Sequence, residues 1–260
     1  MKLISLNAWG GKVYKPLINF IESQNNKVDI FCLQEVFDSK ENIFSNGSKS
    51  NLLSDVRNIL ADYDSYFYPI FSGYDLTEVV DVEMFFGQAT FVRRNHKVDK
   101  SGSLFVFREK LLSSEDFKKE KIKEQMGIVS LPRNINYVIL KDKTVIVNFH
   151  GFWIPGDKKD TPERIEQSKK LSNFLNSFEN RKILCGDFNL NPNTKSMKMI
   201  EEGMINLIKD YNIETTRSKI YKRGERYADY ILVSKDLNVF DFEVLQDQVS
   251  DHLPLYLEFK

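Results

Sequence analysis

An aspartate and a histidine stand side by side near the end of this 260-residue chain, in Ser250-Asp251-His252-Leu253-Pro254, just before a closing apolar run. Such a pair at the start of a strand can serve a metal ion and a phosphate together. Other polar residues interrupt apolar, strand-like runs: Asn7 in LISLNAWGG, Glu35 in DIFCLQEV, His150 in VIVNFHGFW, Asp187 and Asn189 in ILCGDFNLNP, and Asp229 in YADYILVS. Burying an unpaired charge is costly, so acids at the ends of buried strands need a cation or a donor beside them. The set has the chemistry of a metal-dependent phosphoester hydrolase.

A hard cation such as Mg2+ takes oxygen ligands, often one or two carboxylates with retained water. Glu35, Asp251 and Asn7 supply such a sparse oxygen site. The three histidines are too few and too scattered for a His-rich zinc site. Mg2+ is therefore expected, with Mn2+ as a substitute, to polarise a phosphoryl oxygen and steady the leaving oxygen. Hydrolysis also needs a base and donors for the phosphoryl centre. Asp187 can be the base and Asn189 can hold the phosphate or water. His252 can donate to a phosphate oxygen with Asp229 orienting its ring. Each has a plainer reading: Asp187 and Asn7 are also turn formers, and His150 alone would be a satisfied structural histidine.

The tract after His150 has the character of a rim. Phe152 and Trp153 either stack on a base or sugar or cover the core. Arg164 and Gln167 share a helix face that can reach back to His150 or a substrate phosphate. Lys222, Arg223 and Arg226 belong to a basic stretch, Arg217–Arg226, that runs into the strand of Asp229. No Gly-x-Ser-x-Gly elbow, phosphate-binding Walker loop or dinucleotide glycine fingerprint occurs.

These residues need a sheet framework. Strands are expected at Lys2–Leu6, Val28–Leu33, Ser65–Ile70, Gln88–Arg93, Ser103–Phe107, Asn136–Leu140, Thr144–Phe149, Ile183–Cys185, Tyr230–Val233 and Leu255–Phe259. Apolar spacing predicts helices over Pro16–Ser23, Asn51–Ala61 and Thr161–Phe178, the last with Pro162 in its first turn. Lys141-Asp142-Lys143 forms a hairpin turn, so part of the sheet is antiparallel. Phe71–Gly87 is an acidic loop, and Arg108–Gln125 is a charged, solvated helix.

Composition sets the bounds. Lys+Arg and Asp+Glu both number 37, so global charge draws the protein to neither nucleic acid nor membrane. Hydrophobic residues make 42%, enough for the core of one domain spanning residues 1–260. Cys32 and Cys185 lie in apolar runs and behave as small core residues. No run approaches the ~18 apolar residues of a membrane span, and no signal pattern opens the chain, so a cytoplasmic protein is expected. No protein partner is evident.

In their order along the chain, Asn7, LQE at 33–35, His150, GDFN at 186–189, DYIL at 229–232 and SDH at 250–252 resemble the endonuclease/exonuclease/phosphatase superfamily. The resemblance spans nearly the whole chain. It implies an α/β (α+β type) four-layer sandwich: two mainly antiparallel β-sheets packed face to face, with helices on both outer faces. It implies Mg2+ at Glu35 with Asn7 and Asp251 nearby, Asp187 on the attacking water and Asn189 on the phosphate. Asp229 would pair with His252, and His150 would contact phosphate or aid the leaving group. The inositol 5-phosphatase branch is disfavoured, because Leu184 stands where that branch has Trp and its Pro-x-Trp-x-Asp-Arg tract is absent. The expected activity is a phosphodiesterase or phosphohydrolase whose leading substrate is DNA, RNA or a nucleotide. The alternatives are a small phosphoester or phospholipid headgroup, and a non-catalytic binding module.

Overall fold

A computed structural model of the protein describes residues 1–119 and 131–260. Its plan is set by two parallel strand pairs, each joined through a helix. In the first, β1 (Lys2–Asn7) leads through α1 (Tyr14–Gln24) to β2 (Ile30–Ser39), with Asn7 in register with Gln34. In the second, β9 (Val145–His150) leads through α4 (Pro162–Asn176) to β10 (Lys182–Asp187), with His150 in register with Asp187. Every other pairing in the two six-stranded sheets is antiparallel.

The first sheet has the order β13 (Val239–Val244), β14 (Leu255–Phe259), β1, β2, β6 (Met84–Arg93), β5 (Tyr63–Ser72). The second has β11 (Met204–Asn206), β12 (Asp229–Ser234), β10, β9, β8 (Arg133–Leu140), β7 (Val98–Phe107). A small hairpin, β3 (Phe44–Ser45) with β4 (Ser48–Lys49), stands apart.

Alternation along the strands makes this a sandwich. Ile4, Leu6, Phe31 and Leu33 face outward, where α1 and α2 (Leu52–Ile59) cover them with Leu17, Phe20, Ile21, Leu53 and Val56. Leu3, Ile30 and Cys32 face inward and share a core with Ile146, Ile183 and Cys185 of the second sheet. Leu171 and Leu175 of α4, with Met197 and Ile200 of α5 (Lys195–Glu201), join that cluster. The expected architecture of face-to-face sheets with helices outside is the one found.

Local signals account for the helix ends. Thr161 caps α4, its side chain accepting from the Arg164 N–H at 3.2 Å, and Pro162 opens the helix where no N–H is needed. The Lys141-Asp142-Lys143 turn joins β8 to β9, with Asp142 accepting from the Thr144 N–H at 3.0 Å. The charged stretch is helical over α3 (Ser114–Lys119), and its residues 120–125 lie outside the described residues. The acidic stretch is a loop only in its middle, because Phe71–Ser72 and Met84–Gly87 belong to β5 and β6. Missing from the expected elements were β11, β13, α5 and α6 (Leu207–Asp210), all of them seven residues or fewer with little room for a period.

A buried belt of amides ties the sheets together. Gln34 Nε2 donates to Asn148 Oδ1 at 2.7 Å, and Asn148 Nδ2 reaches the carbonyls of Leu33 and Ala89, both at 3.2 Å. Gln88 Nε2 donates to the Asn134 carbonyl at 2.7 Å, and Asn136 Nδ2 returns a bond to the Gln88 carbonyl at 2.7 Å. Partners across a sandwich must meet at one separation and one register, so this belt fixes how the strand ends of one sheet face those of the other. Asn148→Ala takes from Gln34 its shortest acceptor and removes the donor to the Leu33 and Ala89 carbonyls, and is expected to cost about 2–3 kcal/mol, read as a lower urea midpoint. An unchanged midpoint would remove the belt from the list of stabilising features.

Candidate active site

Register assembles the site from one edge of each sheet. Asp187 ends β10 and pairs with His150 on β9 and with Asp229 on β12, so three polar side chains stand in one row. Asn7 ends β1 on the opposite sheet. Glu35 arrives by a different device. The β2–β6 register breaks between Leu33 and Val36, and Glu35 sits in this bulge with φ 55°. Without the extra residue the alternation of Phe31 and Leu33 would send Glu35 outward among the helices. The bulge turns it to the site, at the cost of a left-handed conformation worth about 1 kcal/mol or more. Asn189 adopts φ 55° for the same reason of placement, two residues past Asp187.

Asp187 is the hub. Its Oδ2 accepts from Asn7 Nδ2 at 3.0 Å and lies 3.6 Å from His252 Nε2 and 3.9 Å from His150 Nε2. Its Oδ1 accepts from the Asn189 N–H at 3.0 Å. Asn7 Nδ2 also donates to Glu35 Oε1 at 3.0 Å, while Asn7 Oδ1 accepts from the Trp9 N–H at 2.9 Å. Asn7, expected as a metal ligand, thus bridges the two acids through its amide nitrogen, and its oxygen keeps a second lone pair beside the one that meets Trp9. Glu35 Oε1 is 3.7 Å from His150 Nε2.

The Asp251-His252 pair splits. Asp251 Oδ1 lies 3.7 Å from His252 Nε2, and its other oxygen is 3.6 Å from Arg217 Nη1. His252 Nδ1 is 2.8 Å from both oxygens of Asp229. Its Nε2 is in hydrogen-bond contact with Arg217 Nη1. A guanidinium only donates, so Nε2 accepts and the ring proton sits on Nδ1, facing Asp229. Thr216 Oγ1 accepts from the N–H groups of Ala228 and Asp229 at 3.1 and 3.2 Å, fixing the end of β12 beneath the ring.

Burial and charge set the protonation states. Burial pushes the Asp187 carboxyl up, but His252 and Lys158, with His150 and Arg217, outweigh it and hold it well below the usual range. Burial raises Glu35 most, and Asp251 and Asp187 add to this against the Asn7 hydrogen bond. His150 is lowered to about 3 by burial and by Arg133, so its ring is neutral at neutral pH. His252 meets the opposite balance: burial and Arg217 oppose its charge, but Asp229, Asp251 and Asp187 together raise it.

These groups line a cavity of about 410 Å3 with Trp9, Trp153 and Tyr221 in its walls and Lys222 and Arg223 at its mouth. Arg223 lies over the Trp153 ring, 5.9 Å from its centroid, and Lys12 lies over Trp9 at 5.3 Å. Phe152 and Trp153 part company here: Phe152 is buried against Phe107, and Trp153 faces the cavity.

Two expected substrate contacts fall elsewhere. Arg164 is fully buried and donates to the carbonyls of Phe152, Lys159 and Asp157 at 3.3, 2.6 and 2.7 Å. It organises the rim loop from behind because a guanidinium fork can gather three carbonyls at once. Gln167 does likewise, its Oε1 accepting from the Phe152 N–H at 2.8 Å. Arg226 lies outside the cavity, exposed and 3.3 Å from Glu214.

Three cations were not assigned to the site from the sequence. Arg133 is buried in the cavity wall, its Nε donating to the Gly151 carbonyl at 2.9 Å. Burial lowers its pKa to about 10, with Glu35 and Asp187 opposing, so it stays charged. Arg217 stands beside His252. Lys158 is buried by the loop that Arg164 holds, and its Nζ donates to Asn189 Oδ1. Burial lowers Lys158 to about 8. The Lys158-Lys159 pair was legible only as local charge, because burial of one member depends on the fold of the loop.

The donor set suits a divalent cation. Ligand atoms of Glu35, His150 and Asp187 lie within 4.8 Å of one another, as do those of Asp187, Asp229 and His252. Asp251 is close enough to raise the Glu35 carboxyl. Buried acids that push up one another's protonation are the environment a hard cation relieves.

The sequence matches the family model described as "Endonuclease/Exonuclease/phosphatase family" over residues 4–252. No curated protein matches it. Solved structures share its fold. The mannosyl-6-phosphatase of Bacteroides thetaiotaomicron VPI-5482 is 19% identical, with 100% of this chain and 99% of that chain covered and a TM-score of 0.66. A family protein from Leptotrichia buccalis C-1013-b is 18% identical, with 100% and 99% covered and a TM-score of 0.68. The human Nocturnin catalytic domain is 18% identical, with 100% and 93% covered and a TM-score of 0.63.

The Lys158 contact generates a kinetic expectation. Lys158→Met removes the donor that orients the Asn189 amide while filling similar space. It should lower kcat about tenfold with little change in KM, the cost of one lost charge-assisted bond in a preorganised site. Steady-state kinetics on a protein of unchanged melting temperature checks this, and a pure KM effect would count against the orienting role.

Proposed function

The chain belongs to the endonuclease/exonuclease/phosphatase family, which makes it a hydrolase of phosphoester bonds, and from that premise we propose that it is a Mg2+-dependent enzyme acting on a small phosphoester. Mn2+ is the natural substitute. The observation that carries this reading is the place of Asp187: an ionised carboxylate, buried between two imidazoles, at the base of a cavity of about 410 Å3.

Glu35 would hold the cation, with Asp251 beside it and His150 within reach as a neutral ligand. The ion would supply a Lewis acid for the phosphoryl and leaving oxygens. Asp187 orients the attacking water and takes its proton. Asn189 keeps one amide hydrogen on the Gly151 carbonyl at 3.2 Å, leaving the other for a phosphoryl oxygen. His252, protonated at Nε2 once an anion stands there, donates to the same group, and Asp229 holds the ring through Nδ1. Trp153 forms a wall against the leaving portion of the substrate, and Lys222 and Arg223 attract the anion at the mouth.

Cavity size supports a phosphorylated sugar or a single nucleotide more than a polymer. A long nucleic acid needs a basic track for successive phosphates. Here net charge is +0, Arg164 is interior and Arg226 is matched by Glu214.

Removing divalent cations with EDTA should abolish turnover of p-nitrophenyl phosphate, and Mg2+ should restore it. Glu35→Gln should reduce kcat by roughly a thousandfold, in keeping with loss of a principal electrostatic term, and should cancel the rise in melting temperature that Mg2+ gives the parent protein. Full turnover in EDTA, or a Mg2+ response that survives Glu35→Gln, would refute the assignment.

A further inference from the structure

We propose that Arg217 makes this site selective for phosphomonoester dianions over phosphodiesters. The inference rests on the hydrolase reading of the same site and names its substrate class.

Arg217 is built into the site. Its backbone bridges to His252, the Ser218 N–H donates to the Asp251 carbonyl at 3.2 Å, and the Leu253 N–H donates to the Thr216 carbonyl at 2.9 Å. The residue is buried to nine-tenths, and the Tyr221 ring lies under its guanidinium with the centroid 4.1 Å from Cζ. The guanidinium is thus stacked on Tyr221 with Nη1 held at Nε2 of His252.

The fork is short of partners. Nη1 donates to His252 Nε2, yet Nε–H is buried without any hydrogen-bond partner. An unsatisfied buried donor on a charged group is unfavourable, and the Nε–Nη edge of a guanidinium matches two oxygens of a phosphate. Nε2 of His252 is also the nitrogen left to meet substrate, because Nδ1 is held by Asp229. A phosphoryl oxygen placed on Nε2 therefore lies next to Arg217. The contact now made between Nη1 and Nε2 requires a neutral ring. An anion there accepts from both groups, with a proton taken up on Nε2.

A monoester dianion has three free oxygens and two charges to share among Arg217, His252, Asn189 and the cation site. A diester has two free oxygens and one charge, and places an ester oxygen with its substituent where one acceptor is needed. Sites built on donors reject analogues that leave those donors unpaired more strongly than apolar sites reject extra bulk. Arg133, charged and in the same wall, favours the second charge further. The aromatic mouth formed by Trp9, Trp153 and Tyr221 leaves space for one substituent on the phosphorus.

The test compares binding of methyl phosphate and dimethyl phosphate by calorimetry in Mg2+, near pH 8 where the monoester is about fully dianionic. The same proteins are then assayed for turnover of p-nitrophenyl phosphate and bis(p-nitrophenyl) phosphate. The parent protein should bind methyl phosphate at least ~10-fold more tightly than dimethyl phosphate, the worth of one charge-assisted hydrogen bond. Arg217→Gln should bring the two within about threefold, by loss of monoester affinity. Arg217→Lys, which keeps the charge without the fork, should fall between. Equal affinities in the parent protein, or an unchanged ratio in either folded variant, would overturn the proposal. A strong monoester preference without turnover of either ester would leave the selectivity standing and refute the hydrolase assignment instead.

Discussion

An ionised carboxylate inside a sandwich of two sheets is the constraint on which this structure turns. Asp187 is only 2% exposed. Water solvates it poorly, so protein groups must do so. The Asn7 amide reaches it from the opposite sheet, the Asn189 N–H from the following turn, and His252 and Lys158 from two separate loops. Each of those groups has to arrive from a different part of the chain. The fold can be understood as the scaffold that delivers them.

Delivery has a visible cost in backbone conformation. Glu35 and Asn189 take positive φ, and Gly186 lies so near β9 that a Cβ there would sit 1.9 Å from the Phe149 carbonyl oxygen. Glycine is required at that point because the two parallel strands converge where His150 and Asp187 come into register. Strain of this kind persists only where the surroundings over-determine it. The amide belt of Gln34, Asn148, Gln88 and Asn134 provides that rigidity one layer below the site, and Arg164 provides it behind the rim.

Much of this was legible in the sequence, for a physical reason. A polar residue that bounds or interrupts an apolar strand announces a partner even when the partner is unknown, and Glu35, His150, Asp187 and Asp229 all have that form. The sandwich could be anticipated from alternation and from motif order. Partners that depend on a long-range register could not. Gln34 and Asn148 give no local sign that they meet across the core. Arg217 sits in a basic run whose members divide, after folding, into a buried clamp, two residues at the cavity mouth, an exposed Lys219 and one surface ion pair. Arg164 shared a helix face with Gln167 as expected, but the face turned toward the loop's carbonyls instead of the substrate. Local spacing specifies which residues share a face and leaves open what that face meets.

Charge balance links the parts into one working order. Four acids, Glu35, Asp187, Asp229 and Asp251, converge with three nearby cations, Arg133, Arg217 and Lys158, and two histidines whose charge is adjustable. Left to itself such a site favours a cation, because the acids raise one another's protonation. A divalent ion held at Glu35, as proposed above, would reverse that preference and favour an anion in the cavity. The anion in turn stabilises a proton on His252, since imidazolium can then donate in both directions, to Asp229 and to the phosphoryl group. In that proposal Arg217 would release Nε2, and a phosphoryl oxygen placed there would accept from both groups. On this reading, cation binding, substrate binding and the protonation of His252 would be coupled through one contact, between Arg217 and His252.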